Sequence, residues 1–129
     1  MKRILLILLC LPMIGFGQQT YVPDAYFENY LEANGMGNGI PNDEYVTTTN
    51  INTVTYLDVS YQFISDLTGI EDFTALTELY CHNNYLTSLD VSQNPALTDL
   101  WCANNQLTSL DVSAATALNQ FQCQNNDLT

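Results

Sequence analysis

Cys81, Cys102 and Cys123 recur every 21 residues, and Asn84, Asn105 and Asn126 follow each of them by three. Thiols at a fixed interval point to either a disulfide or a thiolate metal site. Strands one repeat apart would lie about 4.8 Å from each other, inside the Cα range of a disulfide. Their Cβ vectors would be parallel, however, which disfavours the ~90° torsion of a bridge. Three is also an odd number. Zinc would need a histidine on that face, and none is there. The expectation is a ladder of buried free thiols acting as small apolar core residues, even in an oxidising compartment. His82, the one histidine, directly follows Cys81, so on a strand the two point to opposite faces and form no dyad. A Ser60–His82–Asp58 set can be drawn across neighbouring segments, but it would need a cleft, orienting burial and oxyanion donors. No catalytic residue is expected. Asp90 and Asp111 recur at one position, and two carboxylates a strand spacing apart repel, so they are either fully solvated or bridged by Ca²⁺. They are the metal candidates, because the loop Asn38–Glu44 lacks the D-x-[DN]-x-[DN]-G pattern. No other cofactor is expected.

A repeat must position these residues. Residues 76–96 and 97–117 agree at 14 of 21 places. Residues 118–129 begin a further copy, and 54–75 form a more divergent one. Units of this length bury their apolar faces only against their neighbours, as a solenoid does. Strand alternation sends Leu97, Leu100 and Cys102 inward and Asp99, Trp101 and Ala103 outward. Leu107, Leu110 and Val112 continue the core on the other side of the coil. Asn105 falls where the chain turns, and its amide can pair with backbone groups that would otherwise be buried unsatisfied. LTxL occurs twice per coil, at Leu86–Leu89 and Leu97–Leu100, which predicts a second short strand on the convex side. Ile70 and Phe73, three apart, predict a helical turn in the first unit.

The pattern LxxLxCxxNxL resembles the leucine-rich repeat, with Cys81, Cys102 and Cys123 at its third apolar position and Asn84, Asn105 and Asn126 at its asparagine. ISDLTGIEDFTAL (64–76) is similar to the internalin type of repeat. The CxxNxLTSLDVS units, with the segment ahead of them, resemble secreted leucine-rich-repeat proteins of Bacteroidetes-type bacteria. The resemblance covers residues 54–128 and, more loosely, 20–53. It departs at Gln62, where the asparagine is missing, and at Ala114-Ala115, where the Asn94-Pro95 turn is lost. It implies a leucine-rich-repeat solenoid of the α/β repeat class, mostly β here, with parallel strands on the concave face and a short helical N-terminal cap. The concave face is the binding surface it implies. Thr129 stops mid-coil and leaves Leu118, Phe121, Cys123 and Leu128 uncovered, so a truncated member of a longer array, without its C-terminal sorting domain, is expected.

Alignment of the coils places Tyr56, Glu78, Asp99 and Gln120 in one outward column. The next holds Asp58, Tyr80, Trp101 and Gln122, and the third holds Ser60, His82, Ala103 and Gln124. The candidate binding face is Tyr56, Asp58, Glu78, Tyr80, His82, Asp99 and Trp101. Exposed aromatics beside polar groups bury much area at little entropic cost and suit a protein or carbohydrate partner. The competing account is that aromatic cross-strand pairs only stabilise the sheet.

The chain's two basic residues, Lys2 and Arg3, precede an apolar run from Ile4 to Ile14 and the small residues Gly15 and Gly17. This is the layout of a signal peptide, residues 1–17, cleaved after Gly17. Residues 18–53 then read as a cap: Asp24 is the N-cap of a helix over Ala25–Ala33 that carries Phe27, Tyr30 and Leu31 on one face. Asn34-Gly35 stops it, and 35–43 is a loop. Residues 54–129 are the repeats. Beyond residue 17 there are 14 carboxylates and no Lys or Arg. Such a chain cannot neutralise phosphates, which excludes nucleic-acid binding, and an anionic membrane repels it. No segment reaches the ~20 apolar residues of a transmembrane span. The function expected is an exported, non-catalytic recognition or adhesion module, secreted or at the cell surface. The alternative is a structural or matrix component that self-associates through its uncapped C-terminal end.

Overall fold

The computed structural model describes residues 17–129; the expected signal peptide lies outside the described residues except for Gly17. Ahead of the repeats, β1 (Gln19–Tyr21) pairs antiparallel with β2 (Tyr45–Thr47), Thr20 opposite Val46. Between them runs α1 (Ala25–Ala33). Asp24 starts this helix, its Oδ1 accepting the N–H groups of Tyr26 and Phe27 at 3.0 Å each. That satisfies two of the donors a helix start leaves open. The helix buries Phe27 and Leu31 fully and Tyr30 in part. Glu28 is buried too, although it is charged, because its Oε1 accepts the N–H of Asp43 at 3.0 Å. Glu32 does the same for Asn38 at 2.7 Å, so two helix carboxylates hold the loop over 35–43. A four-residue helix, α2 (Thr48–Ile51), leads into the repeats. The β1–β2 pair and α2 are absent from the sequence reading, because three-residue strands show too little alternation to register.

The repeats supply β3 (Tyr56–Asp58), β4 (Glu78–Tyr80), β5 (Asp99–Trp101) and β6 (Gln120–Gln122), hydrogen-bonded in chain order as one parallel sheet. Tyr56, Glu78, Asp99 and Gln120 lie side by side, as do Asp58, Tyr80, Trp101 and Gln122. The middle residue of each strand turns inward: Leu57, Leu79 and Leu100 are buried, while Phe121 is 42% exposed. Pairing continues past the strands, with Val59, Cys81 and Cys102 donating to Tyr80, Trp101 and Gln122 carbonyls at 2.8 Å. Val59 thus stands in the first coil where the later coils have cysteine.

The expected helical turn is a 3-10 helix over Ile70–Asp72. The expected convex strand is not found. On that side each coil makes a single backbone bond to the one before, such as Gln106 N–H to the Leu86 carbonyl at 2.8 Å. Asp90 and Asp111 then accept the N–H of Ser92 and Ser113 at 2.9 Å, which bends the chain out of extension. Asn94 is fully buried, its Nδ2 donating to the carbonyls of Ile70 and Phe73 at 2.9 and 3.1 Å. Ala103, expected to face solvent, is buried. Alternation sets a side chain's direction, but a methyl group between larger neighbours has little area to expose.

The N-terminal segment is bound to the first coil at several points. Phe27 stacks on Phe73 with centroids 6.3 Å apart. Asp24 Oδ2 accepts from Ser65 N, Ser65 Oγ and Asp66 N at 2.9, 3.0 and 3.1 Å, so one carboxylate both caps α1 and holds the repeat. Thr20 Oγ1 donates to Asp72 at 2.7 Å. Gly69 permits this approach: its φ is +109°, and a Cβ there would lie 2.8 Å from Val22 Cγ2 and 3.0 Å from the Tyr21 carbonyl. Among the described residues no helix is long and apolar enough to cross a membrane.

Candidate functional site

The outer face of the β3–β6 sheet carries the aromatic residues that the column alignment singles out. Tyr80 and Trp101 are paired across β4 and β5, and their rings stack with centroids 4.5 Å apart and planes 17° from parallel. Tyr56, half exposed, meets Tyr80 edge-on at 5.4 Å. His82 lies 6.0 Å from Trp101 on the other flank, and Tyr61 meets His82 edge-on at 5.5 Å. Such offset and T-shaped pairs are the arrangements favoured by the ring quadrupole.

Carboxylates frame the rings. Tyr80 Oη donates to Glu78 Oε2 at 3.1 Å, and Thr98 Oγ1 donates to Asp99 Oδ2 at 2.7 Å. Loss of water around the Tyr80 ring pushes its phenol above the ordinary tyrosine pKa, and the bond to Glu78 and the charges of Glu78 and Asp99 act in the same direction. Tyr56 is raised likewise, by desolvation first and then by Asp58 and Glu78. Both phenols therefore stay neutral donors at physiological pH. The Trp101 Nε1 and His82 Nδ1 atoms are buried without hydrogen-bond partners. Among the described residues they are the buried side-chain polar atoms of this face that lack a partner.

The Ser60–His82–Asp58 set does not assemble. Ser60 Oγ donates to Asp58 Oδ1 at 2.5 Å, its N–H donates to the same oxygen at 3.0 Å, and no hydrogen bond joins it to His82. Its hydroxyl is committed to closing a turn. Asp90 and Asp111 sit exposed on the opposite side of the coils. Hydrogen bonds from Ser92 and Ser113 hold their carboxyls below the usual range. Among the described residues no three His, Cys, Asp or Glu side chains gather where they could hold a metal ion.

Two ladders run beneath the face. Cys81 and Cys102 are buried and Cys123 half-buried, all as free thiols. Burial pushes the Cys81 thiol well up, with Cys102 adding to it; burial, then the neighbouring Cys123, raises the Cys102 thiol to about 12. The asparagines form a continuous chain of bonds. Asn84 Nδ2 donates to the Val59 and Cys81 carbonyls, Asn105 Nδ2 to those of Cys81 and Cys102, and Asn126 Nδ2 to those of Cys102 and Cys123, at 2.8–3.1 Å. Their Oδ1 atoms accept from the turns, Ile64 N–H for Asn84, Leu86 for Asn105 and Leu107 for Asn126, each at 3.0 Å. The sequence reading passes over a row of exposed rings past the strand ends: Tyr61, Phe63 and Tyr85, with Tyr26 from α1. The signal was in the alignment, since Tyr61 stands where later coils have Asn83 and Asn104, and Phe63 aligns with Tyr85 and Gln106.

No family model matches the chain. Internalin J of Listeria monocytogenes serotype 4b is 45% identical over 49 residues, 38% of this chain and 5% of that protein. The structure of the functional domain of InlJ, which includes a cysteine ladder, superposes with a TM-score of 0.76 at 38% identity. The repeats are internalin-like leucine-rich repeats. That superposition covers 88% of this chain and 25% of the InlJ chain. A second Listeria internalin, InlF, superposes with a TM-score of 0.63 at 26% identity, over 83% of this chain and 31% of its own. The chain thus spans a small part of the relatives it matches.

Proposed function

We propose that this internalin-like chain is an exported, non-catalytic recognition module, a capped solenoid that contacts a protein or carbohydrate at the cell surface through the outer face of its parallel sheet. The observation that carries the reading is the Tyr80–Trp101 stack, 4.5 Å between centroids, extended by Tyr56 on one side and His82 on the other. Rigid, amphipathic rings on short strands provide contact area that needs little ordering when a partner arrives. The neutral phenols, the carboxylates and the absence of Lys and Arg after residue 17 suit neutral or basic partners and repel polyanions. The non-catalytic reading rests on the commitment of Ser60 to Asp58 and on the openness of the face.

Trp101 is the one tryptophan of the chain, so its emission reports on this face alone. Titration with a true partner shifts or quenches that emission. Tyr80→Ala with Trp101→Ala, followed by surface plasmon resonance, should abolish binding while leaving the far-UV circular dichroism intact. Unchanged binding by a folded double variant would refute the assignment.

A further inference from the structure

Tyr61 and Phe63 have φ of +58° and +62°, a left-handed conformation that bulky side chains avoid. Later coils place asparagine at the position of Tyr61: Asn83, Asn104 and Asn125 have φ of 56–58°. Phe63 is left-handed where Tyr85 and Gln106 are not. The extra left-handed residue has a local cause. Asn84 Oδ1 accepts from both Gln62 N–H and Ile64 N–H, at 3.1 and 3.0 Å, whereas Asn105 and Asn126 each accept from one turn N–H, so Phe63 bends left-handed as well as Tyr61. Neither ring gains burial from this, since Tyr61 is 66% and Phe63 60% exposed. Phe63 instead stands between two other exposed rings, Tyr26 at 6.1 Å and Tyr85 at 6.2 Å.

Beside these rings lies an open groove of about 330 Å³, lined by Tyr61, Phe63, Tyr85, Asn83, Asn84 and Asn104. Three aromatic and three amide side chains line it, and none of them is charged. Asn84 is consumed by the ladder. Asn104 Oδ1 accepts from Asn125 Nδ2 at 2.7 Å, which leaves the Asn104 NH₂ to donate outward. Asn83 has no side-chain partner among the described residues.

We propose that this groove is a subsite for a neutral glycan, adjoining the Tyr80–Trp101 face through the Tyr61–His82 contact but lined by other residues. Aromatic faces carry negative quadrupole potential that attracts the C–H groups on one side of a pyranose ring, and amides both donate to and accept from sugar hydroxyls. At about 330 Å³ the groove lies at the small end of small-molecule sites. With no cation after residue 17, anionic glycans are repelled. An uncharged glycan matches this lining of rings and amides.

Affinity electrophoresis of the purified chain tests this, in gels containing laminarin, hydroxyethylcellulose or galactomannan, with polygalacturonate as the charged control. At least one neutral polymer should retard the chain, and polygalacturonate should not. Tyr61→Asn combined with Phe63→Asn should weaken retardation at least tenfold while the melting temperature holds or rises, because asparagine tolerates the left-handed conformation. Trp101→Ala should leave retardation in place. Absence of retardation by all three neutral polymers overturns the proposal, as does retardation that the double variant leaves unchanged. Loss of retardation in Trp101→Ala alone would also overturn it, and would move the glycan to the sheet face.

Discussion

Replacing Asn105 by alanine tests whether the asparagine ladder holds the coils together. The residue is 8% exposed, its Nδ2 donates to the Cys81 and Cys102 carbonyls at 3.0 Å each, and its Oδ1 accepts the Leu86 N–H at 3.0 Å. The two carbonyls keep a second partner after truncation, because Asn84 donates to Cys81 at 3.1 Å and Asn126 to Cys102 at 3.0 Å. The Leu86 N–H keeps none. One orphaned buried donor costs about 1–3 kcal/mol, and two bonds lost to carbonyls that remain paired add roughly 0.5–1 each. The sum is about 3 kcal/mol, a large share of the ~5–15 kcal/mol of a typical domain. Asn126→Ala, in a part-buried site, should cost half of that or less. Asn105→Asp is the sharper perturbation, since an ionised carboxylate would face two carbonyl oxygens where the amide donates. Burial raises a carboxylate's pKa, so that variant is most stable below about pH 4 and loses stability as the pH rises. It should fall below Asn105→Ala at pH 7 and approach it at acid pH. Urea unfolding followed by circular dichroism, with linear extrapolation, gives each value. A cost under about 1 kcal/mol for Asn105→Ala, or no pH-dependent difference between the two variants, would refute the reasoning.

The thiols make a second test: Cys123 should react with Ellman's reagent in the native state while Cys81 and Cys102 wait for unfolding, and equal rates for all three would contradict the burial described above. Because the fold raises the Cys102 thiol to about 12 and favours its protonated form, the stability it contributes is complete below about pH 9. It declines by about 1.4 kcal/mol per pH unit as the pH rises toward 12. Cys102→Val, which copies Val59 of the first coil, should fold and make the alkaline decline in thermal melts shallower, leaving the part that the buried Cys81 thiol contributes. Gly69→Ala should destabilise by about 2–3 kcal/mol, through its positive φ and the 2.8 Å approach to Val22; an unchanged melting temperature would show that the N-terminal segment moves aside freely. Millimolar Ca²⁺ should leave the melting temperature within a degree, since Asp90 and Asp111 already accept from their own serines; a clear rise would reveal a site.

The parallel strands and their register were legible because leucine, cysteine and asparagine repeat at one interval, and a fixed interval sets which residues become neighbours. Asp24 was legible as a helix start because capping is local chemistry. Its second oxygen was not, because Ser65 and Asp66 lie about 40 residues away. The β1–β2 pair was hidden for the same reason: two three-residue strands, separated by a helix and a loop, carry no period of their own. The convex strand was predicted from LTxL, a pattern that a turning chain satisfies as well as an extended one. There the serine N–H groups bound by Asp90 and Asp111 decide the outcome.

The two aromatic surfaces differ in how they relate to stability, and that difference explains why one was readable and the other was not. Tyr80 and Trp101 fell into one column by counting, and their stack serves the fold: such a pair contributes about 0.5–1.5 kcal/mol beyond its buried area. Trp101→Ala should therefore lower the unfolding free energy, as a packing residue's loss does. Tyr61 and Phe63 work against the fold, because left-handed bulky residues cost about 1–2 kcal/mol each. Counting sees only their alignment with asparagine and tyrosine; the strain at Tyr61 comes from a left-handed turn position that later coils fill with asparagine, and the strain at Phe63 from the double hydrogen bond to Asn84. Tyr61→Asn should then raise the unfolding free energy by roughly 1 kcal/mol, offset in part by the lost edge-on contact with His82. Opposite signs for Trp101→Ala and Tyr61→Asn would show that rings on the sheet support the coil and rings on the turn are held by it. A destabilised Tyr61→Asn would mean that the turn is relaxed as it stands, and the strain argument would fail with it.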